Sequence, residues 1–153
     1  MSDALPKSPV DHGEYEISTD PARLDLEAII RLLRPTYWAA QRPREVIEKS
    51  IRHSLCFGIY WRGAQVGFAR VVTDGATFAW ICDVVIDEAH RGGGLGKRFV
   101  EEIVTHSDIT DVRQLLATRD AHTLYEKFGF ERIGEFFLGR KFILIPGSDP
   151  QPS

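Results

Sequence analysis

The chain has 153 residues, 43% of them hydrophobic and 27% charged, with a formal net charge of −3. That supplies enough apolar material for one domain with its own core, and it is too acidic for nucleic acid to be the main partner. No apolar run approaches the length of a membrane span, and "MSDALPKSPV" lacks the basic and apolar segments of an export signal. The expectation is therefore a cytoplasmic chain with no membrane or nucleic-acid partner.

Residues 1–13 and the tail 146–153 are rich in Pro, Ser and Asp and are expected to be disordered, leaving one domain over 14–145. "YEIST" (Tyr15 to Thr19) reads as a first short strand. "DPARLDLEAIIRLLR" reads as a helix with Asp20 as N-cap and Pro21 at its first position, its apolar residues Leu26, Ile29, Ile30 and Leu33 at helical spacing, and Pro35 as its stop. After a connector (Thr36 to Pro43), "REVIEKSIRHS" reads as a second helix. "LCFGIYW" and "AQVGFARVVTD" are strands about a turn at Arg62 and Gly63, and "ATFAWICDVVID" is the next strand after a turn at Asp74 and Gly75. From Gly94 a helical pattern of Leu95, Phe99, Val100, Ile103 and Val104 takes over. "VRQLLATRD" then reads as a strand, "AHTLYEKF" as a short helix ended by Gly129, and "FERIGEFF" and "RKFILIP" as two closing strands.

This order predicts a mixed α/β domain of about seven strands and four helices. Strands joined by tight turns are antiparallel, whereas the section from Thr77 to Thr118 is a βαβ crossover and so locally parallel. Cys56 and Cys82 lie in apolar strand-like runs and are expected to be buried free thiols. The five histidines are scattered without the spacing of a metal site, so no metal is expected.

The stretch "DVVIDEAHRGGGLGKRFVEEI" carries the chemistry. Gly92, Gly93, Gly94 and Gly96 stand between a strand and a helix, where each glycine costs about 0.5–1 kcal/mol relative to alanine in regular structure. Such a loop lets several amides turn toward one anion at a helix N-terminus, and phosphate or pyrophosphate is the natural ligand. Arg91 precedes the glycines and can contact phosphate oxygens; Lys97 and Arg98 add positive charge, although their sign is unfavourable for that helix end. The P-loop pattern fails, because Arg91 and Arg98 occupy its glycine and hydroxyl positions. The dinucleotide fingerprint fails because Lys97 stands where its third glycine belongs.

"RGGGLG" resembles the R/Q-x-x-G-x-G/A signature of the GNAT superfamily of N-acetyltransferases, with Arg91, Gly94 and Gly96 at its defining places. Upstream, "VVIDEAH" is similar to that family's strand end, and downstream "AHTLYEKFGF" (Ala121 to Phe130) is similar to its "A…LYEKLGF" segment. The resemblance covers roughly residues 14–145. It implies the GNAT fold with a splayed parallel strand pair, and acetyl-CoA as co-substrate. The implied cofactor-binding residues are Val84, Val85 and Ile86 on the strand, Arg91, Gly92, Gly93, Gly94, Leu95, Gly96 and Lys97 in the loop and first helical turn, and Thr118. Many relatives have an asparagine at the place of Thr118, which weakens that transfer.

The resemblance implies that Tyr125 donates to the departing thiolate. The base is left open, since Trp80 and Cys82 stand where relatives carry a polar residue. Asp83, the one carboxylate inside this strand, is a candidate catalytic or substrate-contacting group, or else a partner of Arg70 or Arg119. Asp120 reads as the N-cap of the helix carrying Tyr125. Tyr37 and Trp38 can form an aromatic wall for the acceptor, and Arg42 with Arg119 would suit a zwitterionic small molecule. The expected function is acetyl transfer to a primary amine of a small molecule. Acetylation of protein lysines or N-termini, or an acyl-CoA sensor without catalysis, are the alternatives. The late apolar strands make a homodimer possible.

Overall fold

The computed structural model of the chain describes residues 13–141. Five strands, β1 (Tyr15–Ser18), β2 (Leu55–Trp61), β3 (Ala64–Thr73), β4 (Phe78–Ile86) and β5 (Arg113–Leu116), form one sheet in the order β1-β2-β3-β4-β5. All pairs are antiparallel except β4 with β5, which is parallel. The helices are α1 (Leu26–Leu33), α2 (Arg44–Arg52), α3 (Leu95–Val104) and α4 (His122–Glu126).

Local chemistry accounts for most boundaries. At the β2–β3 turn both Arg62 (φ 49°) and Gly63 (φ 82°) are left-handed, the geometry that matches the twist of a two-residue hairpin. In the β3–β4 turn the Asp74 carboxylate accepts from the Ala76 and Thr77 amides, at 2.9 and 2.8 Å. The first expected helix divides. Asp20 caps only a short 3₁₀ turn at Pro21–Arg23, and a second aspartate, Asp25, caps α1 by accepting from the Ala28 amide at 3.2 Å. The Asp25 amide is itself held at 2.8 Å by Gln65 of β3, so a tertiary hydrogen bond fixes the helix start that local pattern put at Asp20.

The sheet is covered on both faces. Leu95, Phe99 and Ile103 of α3, with Ile109, pack on Phe57, Ile59, Ala69, Val71, Ala79 and Ile81. Ile29, Leu32 and Leu33 of α1 and Ile47 of α2 pack on Cys56, Phe68 and Val85 from the other side. Both cysteines are free thiols.

One expectation near the C-terminus needs correction. "FERIGEFF" forms no strand: Ile133 and Phe137 are exposed, and Phe136 and Leu138 are almost wholly so. Alternating apolar residues mark what a segment could bury, not whether a surface reaches it, and Gly134 breaks the alternation here. The described residues thus contain five strands rather than about seven. The stretch from residue 142 onward, with most of "RKFILIP", lies outside the described residues, as do residues 1–12. Among the described residues no helix is long and apolar enough to cross a membrane.

Candidate active site

The site begins with a disagreement in strand length. β5 ends at Leu116, although the sequence reads as strand to Asp120, because pairing with β4 stops at Ile81 and Leu116. Beyond that point the parallel strands part, and the β4 backbone from Cys82 to Ile86 has no β5 partner. A cleft therefore opens along β4.

Inside the cleft β4 carries a bulge. Against β3, Phe68 pairs with Val85 and Arg70 with Cys82, so one residue of β3 faces two of β4. Asp83 sits in this bulge with φ 55°, a left-handed conformation that aspartate tolerates better than most side chains. The extra residue changes the face each side chain takes. Ala79 and Ile81 pack toward α3, and so do Val84 and Ile86, while Val85 packs toward α1. Asp83 is thereby turned to the α1–α2 side.

There it meets a polar cluster. Its carboxylate accepts from Arg42 Nη1 at 2.7 Å, Arg70 Nε at 2.9 Å and Trp38 Nε1 at 3.1 Å. Arg70 also donates to Ser54 Oγ at 3.2 Å. Burial alone would raise the Asp83 pKa, but the Arg42 and Arg70 guanidinium groups outweigh it and hold the carboxyl below its ordinary value. Asp83 is thus ionised and fully engaged, which suits the pairing alternative better than a free base. Because its folded pKa is depressed, its stabilisation is present above the unfolded value of 3.8 and is lost as pH falls through the lower folded value. Replacing Asp83 by Ala leaves two arginines without their carboxylate, so a loss of about 3 kcal/mol is expected in urea unfolding at neutral pH. A loss below about 0.5 kcal/mol, the level of an exposed pair, would remove this reading.

The connector after α1 carries the aromatic wall. Thr36 Oγ1 donates to the Leu33 carbonyl at 2.6 Å and accepts from the Ala39 amide, which fixes the turn holding Tyr37 and Trp38. Their rings meet edge to face at 4.9 Å. The Tyr37 hydroxyl accepts from the Arg119 amide at 3.0 Å, and the Arg119 guanidinium lies over the Tyr37 ring at 4.0 Å. Arg119 therefore braces the wall and does not pair with Asp83. A cavity of about 300 Å³ results, lined among others by Tyr37, Trp38, Arg42, Asp83, Val84, Thr118, Asp120 and Tyr125. A larger cavity of about 840 Å³ lies along β5, but its lining includes no residue of β4, so the smaller one, lined by β4 from Trp80 to Val84, is the candidate reaction chamber.

Tyr125 borders that chamber from α4. It is buried, and among the described residues its hydroxyl has no hydrogen-bond partner. Burial, with the fields of Tyr37 and Asp120, pushes its phenol up to about 12, so it is a proton-bearing donor throughout the neutral range. Asp120 is not the N-cap expected for α4. Ala121 holds that position, with no side-chain cap, and Thr118 Oγ1 accepts from the Ala121 amide at 3.0 Å. The Thr118 hydroxyl accepts in this turn and keeps its own O–H donor. Asp120, freed from capping, lines the chamber instead. Neither Asp120 in this role nor the Asp83 bulge was legible from the sequence, since both depend on what lies across the cleft.

At its other end the cleft meets the glycine loop. Gly92 (φ 91°) and Gly94 (φ 81°) are left-handed, and Gly94 is the N-cap of α3 with no side-chain cap, so the first amides of the helix face outward. A Cβ at Gly96 would meet only Ile86 Cδ1, at 3.9 Å, so the protein itself does not require glycine there. Space is being kept beside the helix end, as a phosphate cradle needs. The loop is anchored from behind: Arg91 Nε donates to the Ile86 carbonyl at 2.8 Å, and Tyr15 Oη and His90 Nδ1 share a hydrogen bond of 2.7 Å. Leu95 is buried in the core and can contribute only its backbone amide, while Lys97 is exposed.

Cys82 also lines the chamber, yet its thiol is a poor nucleophile. Burial pushes it up to about 11, and Sγ donates to the Arg70 carbonyl at 3.3 Å. At pH 8 that leaves about one thiolate in a thousand. Cys82→Ala is expected to keep turnover within about twofold in a thiol-release assay; a loss of three orders of magnitude or more would point to an acyl-cysteine step instead.

A splayed parallel pair, a bulged strand and a glycine cradle at a helix N-terminus define an acetyltransferase of the GNAT type. The family described as Acetyltransferase (GNAT) domain matches residues 52–132. A Gibberella zeae protein named as a candidate acetyltransferase is 31% identical over 147 residues, covering 81% of this chain and 83% of that protein. A crystallised protein of Xanthomonas campestris pv. campestris, described as belonging to the GNAT family, superposes with a TM-score of 0.79 at 37% identity, covering 92% of this chain and 96% of that one. A GNAT acetyltransferase of Elizabethkingia anophelis with acetyl-CoA bound has the same fold, with a TM-score of 0.61 at 14% identity and coverage of 78% and 77%. The chain belongs to the GNAT acetyltransferase family and is an acyltransferase.

Proposed function

We propose that this protein transfers acetyl from acetyl-CoA directly to the amine of a small molecule. The observation that carries the reading is the β4 backbone beyond its last β5 pair, which lines a small chamber bordered by Tyr125 at Asp83 and Val84 and runs on to Ile86, beside Gly96 of the glycine loop. The outer donors of Arg91, whose Nε is bound to the Ile86 carbonyl, and the amides at the N-terminus of α3 hold the pyrophosphate, and the β4 backbone from Val84 to Ile86, beyond its last β5 pair, holds the pantetheine arm. Bound there, acetyl-CoA supplies an activated thioester. The residues present suit that group, because the helix end offers positive potential and the space beside Gly96 is open.

Within the chamber the chain's own residues provide three things. The bulged β4 backbone offers amides to the oxygen that gains charge as the amine attacks. The aromatic wall of Tyr37 and Trp38 orients the acceptor. The Tyr125 hydroxyl donates to the sulfur as the C–S bond breaks, CoA leaving as the thiolate while the proton lost by the amine passes to solvent. Protonating a thiolate of ordinary pKa, about 8.5, from a phenol near 12 is uphill by roughly 5 kcal/mol, so Tyr125 serves as a hydrogen-bond donor that stabilises the leaving sulfur. The chamber of about 300 Å³ has the size for a small acceptor rather than a peptide segment. Thiol release from acetyl-CoA, measured against a panel of amines, tests the reading: turnover of a small-molecule class supports it, and acetylation of lysine peptides alone would replace it.

A further inference from the structure

The charged residues lining the chamber come from different parts of the chain. From the α1–α2 connector comes Arg42. One of its donors, on Nη1, is bound by Asp83, and the side chain keeps 21% of its exposure. A guanidinium has five N–H donors in a fixed fork. Arg42 has no other polar partner among the described residues, so the rest of its fork is available to an incoming group. Asp83 also takes Arg70, so these three side chains together carry one excess positive charge. From the β5–α4 loop comes Asp120, which lines the same chamber, caps nothing, and has no ion pair or hydrogen bond from its carboxylate among the described residues. It stands five residues before Tyr125, and its field reaches that phenol.

The excess positive charge that includes Arg42 and the exposed, unpaired Asp120 carboxylate line one cavity with aromatic sides, an arrangement complementary to a small molecule bearing both charges. We propose that the acceptor is a zwitterion, with its carboxylate or other oxyanion held by the fork of Arg42 and its amine drawn to Asp120 beside Tyr125. Asp83 then acts through Arg42: it anchors the guanidinium from behind and leaves the outer donors free. This inference rests on the acetyltransferase reading and names the acceptor class for the same chamber. Carboxylate and phosphonate share the chemistry Arg42 would read.

The test compares α-amino acids, the simple amines left by their decarboxylation, and the matching 1-aminoalkylphosphonates as acceptors with acetyl-CoA. An anionic acceptor is expected to exceed its matched simple amine in kcat/KM by about 30-fold, the size of one charge-assisted contact. Whether carboxylate or phosphonate leads identifies the oxyanion. In Arg42→Gln the ratio between anionic and simple acceptor is expected to fall to within about threefold. The ratio cancels any general loss of folded enzyme. Asp120→Asn is expected to raise KM for the anionic acceptors about tenfold, with little change in KM for acetyl-CoA. Equal kcat/KM for amines with and without the anion, or a ratio that survives Arg42→Gln, overturns the inference. Should no acceptor turn over, calorimetry with CoA separates the cases. CoA binding, with no amino acid or phosphonate shifting the melting of the CoA complex, defeats the zwitterion alone. Absence of CoA binding defeats the acetyltransferase reading beneath it.

Discussion

Tyr125→Phe is expected to lower kcat by about 100-fold while leaving KM for acetyl-CoA within about threefold, in steady-state thiol release. The reason is the narrowness of the change. Phenylalanine keeps the buried ring and its edge contact with Phe130, centroids 5.8 Å apart, and removes only a hydroxyl that no protein group engages among the described residues. Stability should therefore be unchanged or slightly raised. The lost hydrogen bond is one made as negative charge gathers on sulfur, so the effect belongs to kcat and not to binding. The phenol, held near 12, keeps its proton to high pH, so Tyr125 contributes no alkaline fall in kcat below about pH 10. A threefold change or less would assign the tyrosine to packing.

Gly96→Glu is expected to weaken CoA binding by about 100-fold without destabilising the fold. Calorimetric titration with CoA reads the first effect and thermal melting the second. At this position, the second residue of α3, a glutamate replaces a poor helix former and complements the positive helix end, together worth roughly 1 kcal/mol of stability. A Cβ there would meet only Ile86 Cδ1, at 3.9 Å, so sterics do not oppose it. The carboxylate would stand beside the phosphate cradle, where two like charges about 5 Å apart repel by roughly 3 kcal/mol at an effective dielectric of 20. A protein that melts normally and still binds CoA tightly would show that the loop holds something else.

Much of this was readable in the chain. The glycine run between a β-branched strand and an amphipathic segment announces an anion cradle, because only a backbone freed of Cβ atoms and placed at a helix end can present several amides to one ligand. The antiparallel hairpins follow from Arg62-Gly63 and Asp74-Gly75, and the crossover from the segment between β4 and β5. These signals are local: each depends on residues within one turn of one another. Tyr125 is singled out only by the resemblance of its segment to a family one, since nothing in an amphipathic five-residue helix separates a reacting tyrosine from a packing one.

The sequence by itself determined the cradle, the α/β class and the order of the elements, because periodicity and turn chemistry act over short distances. Only the tertiary structure decided where β4 and β5 part, which turned Ala117 to Asp120 from strand into cleft wall. Only it gave β4 the extra residue that points Asp83 at Arg42 and Arg70. The capping of α4 was settled in the same way: with Thr118 bonded to the Ala121 amide, Asp120 was released to the chamber. Each of these depends on partners far apart in the chain, as Trp38, Arg42, Arg70 and Asp83 are. A buried charge is settled by what it meets across the fold, which no window of neighbouring residues contains.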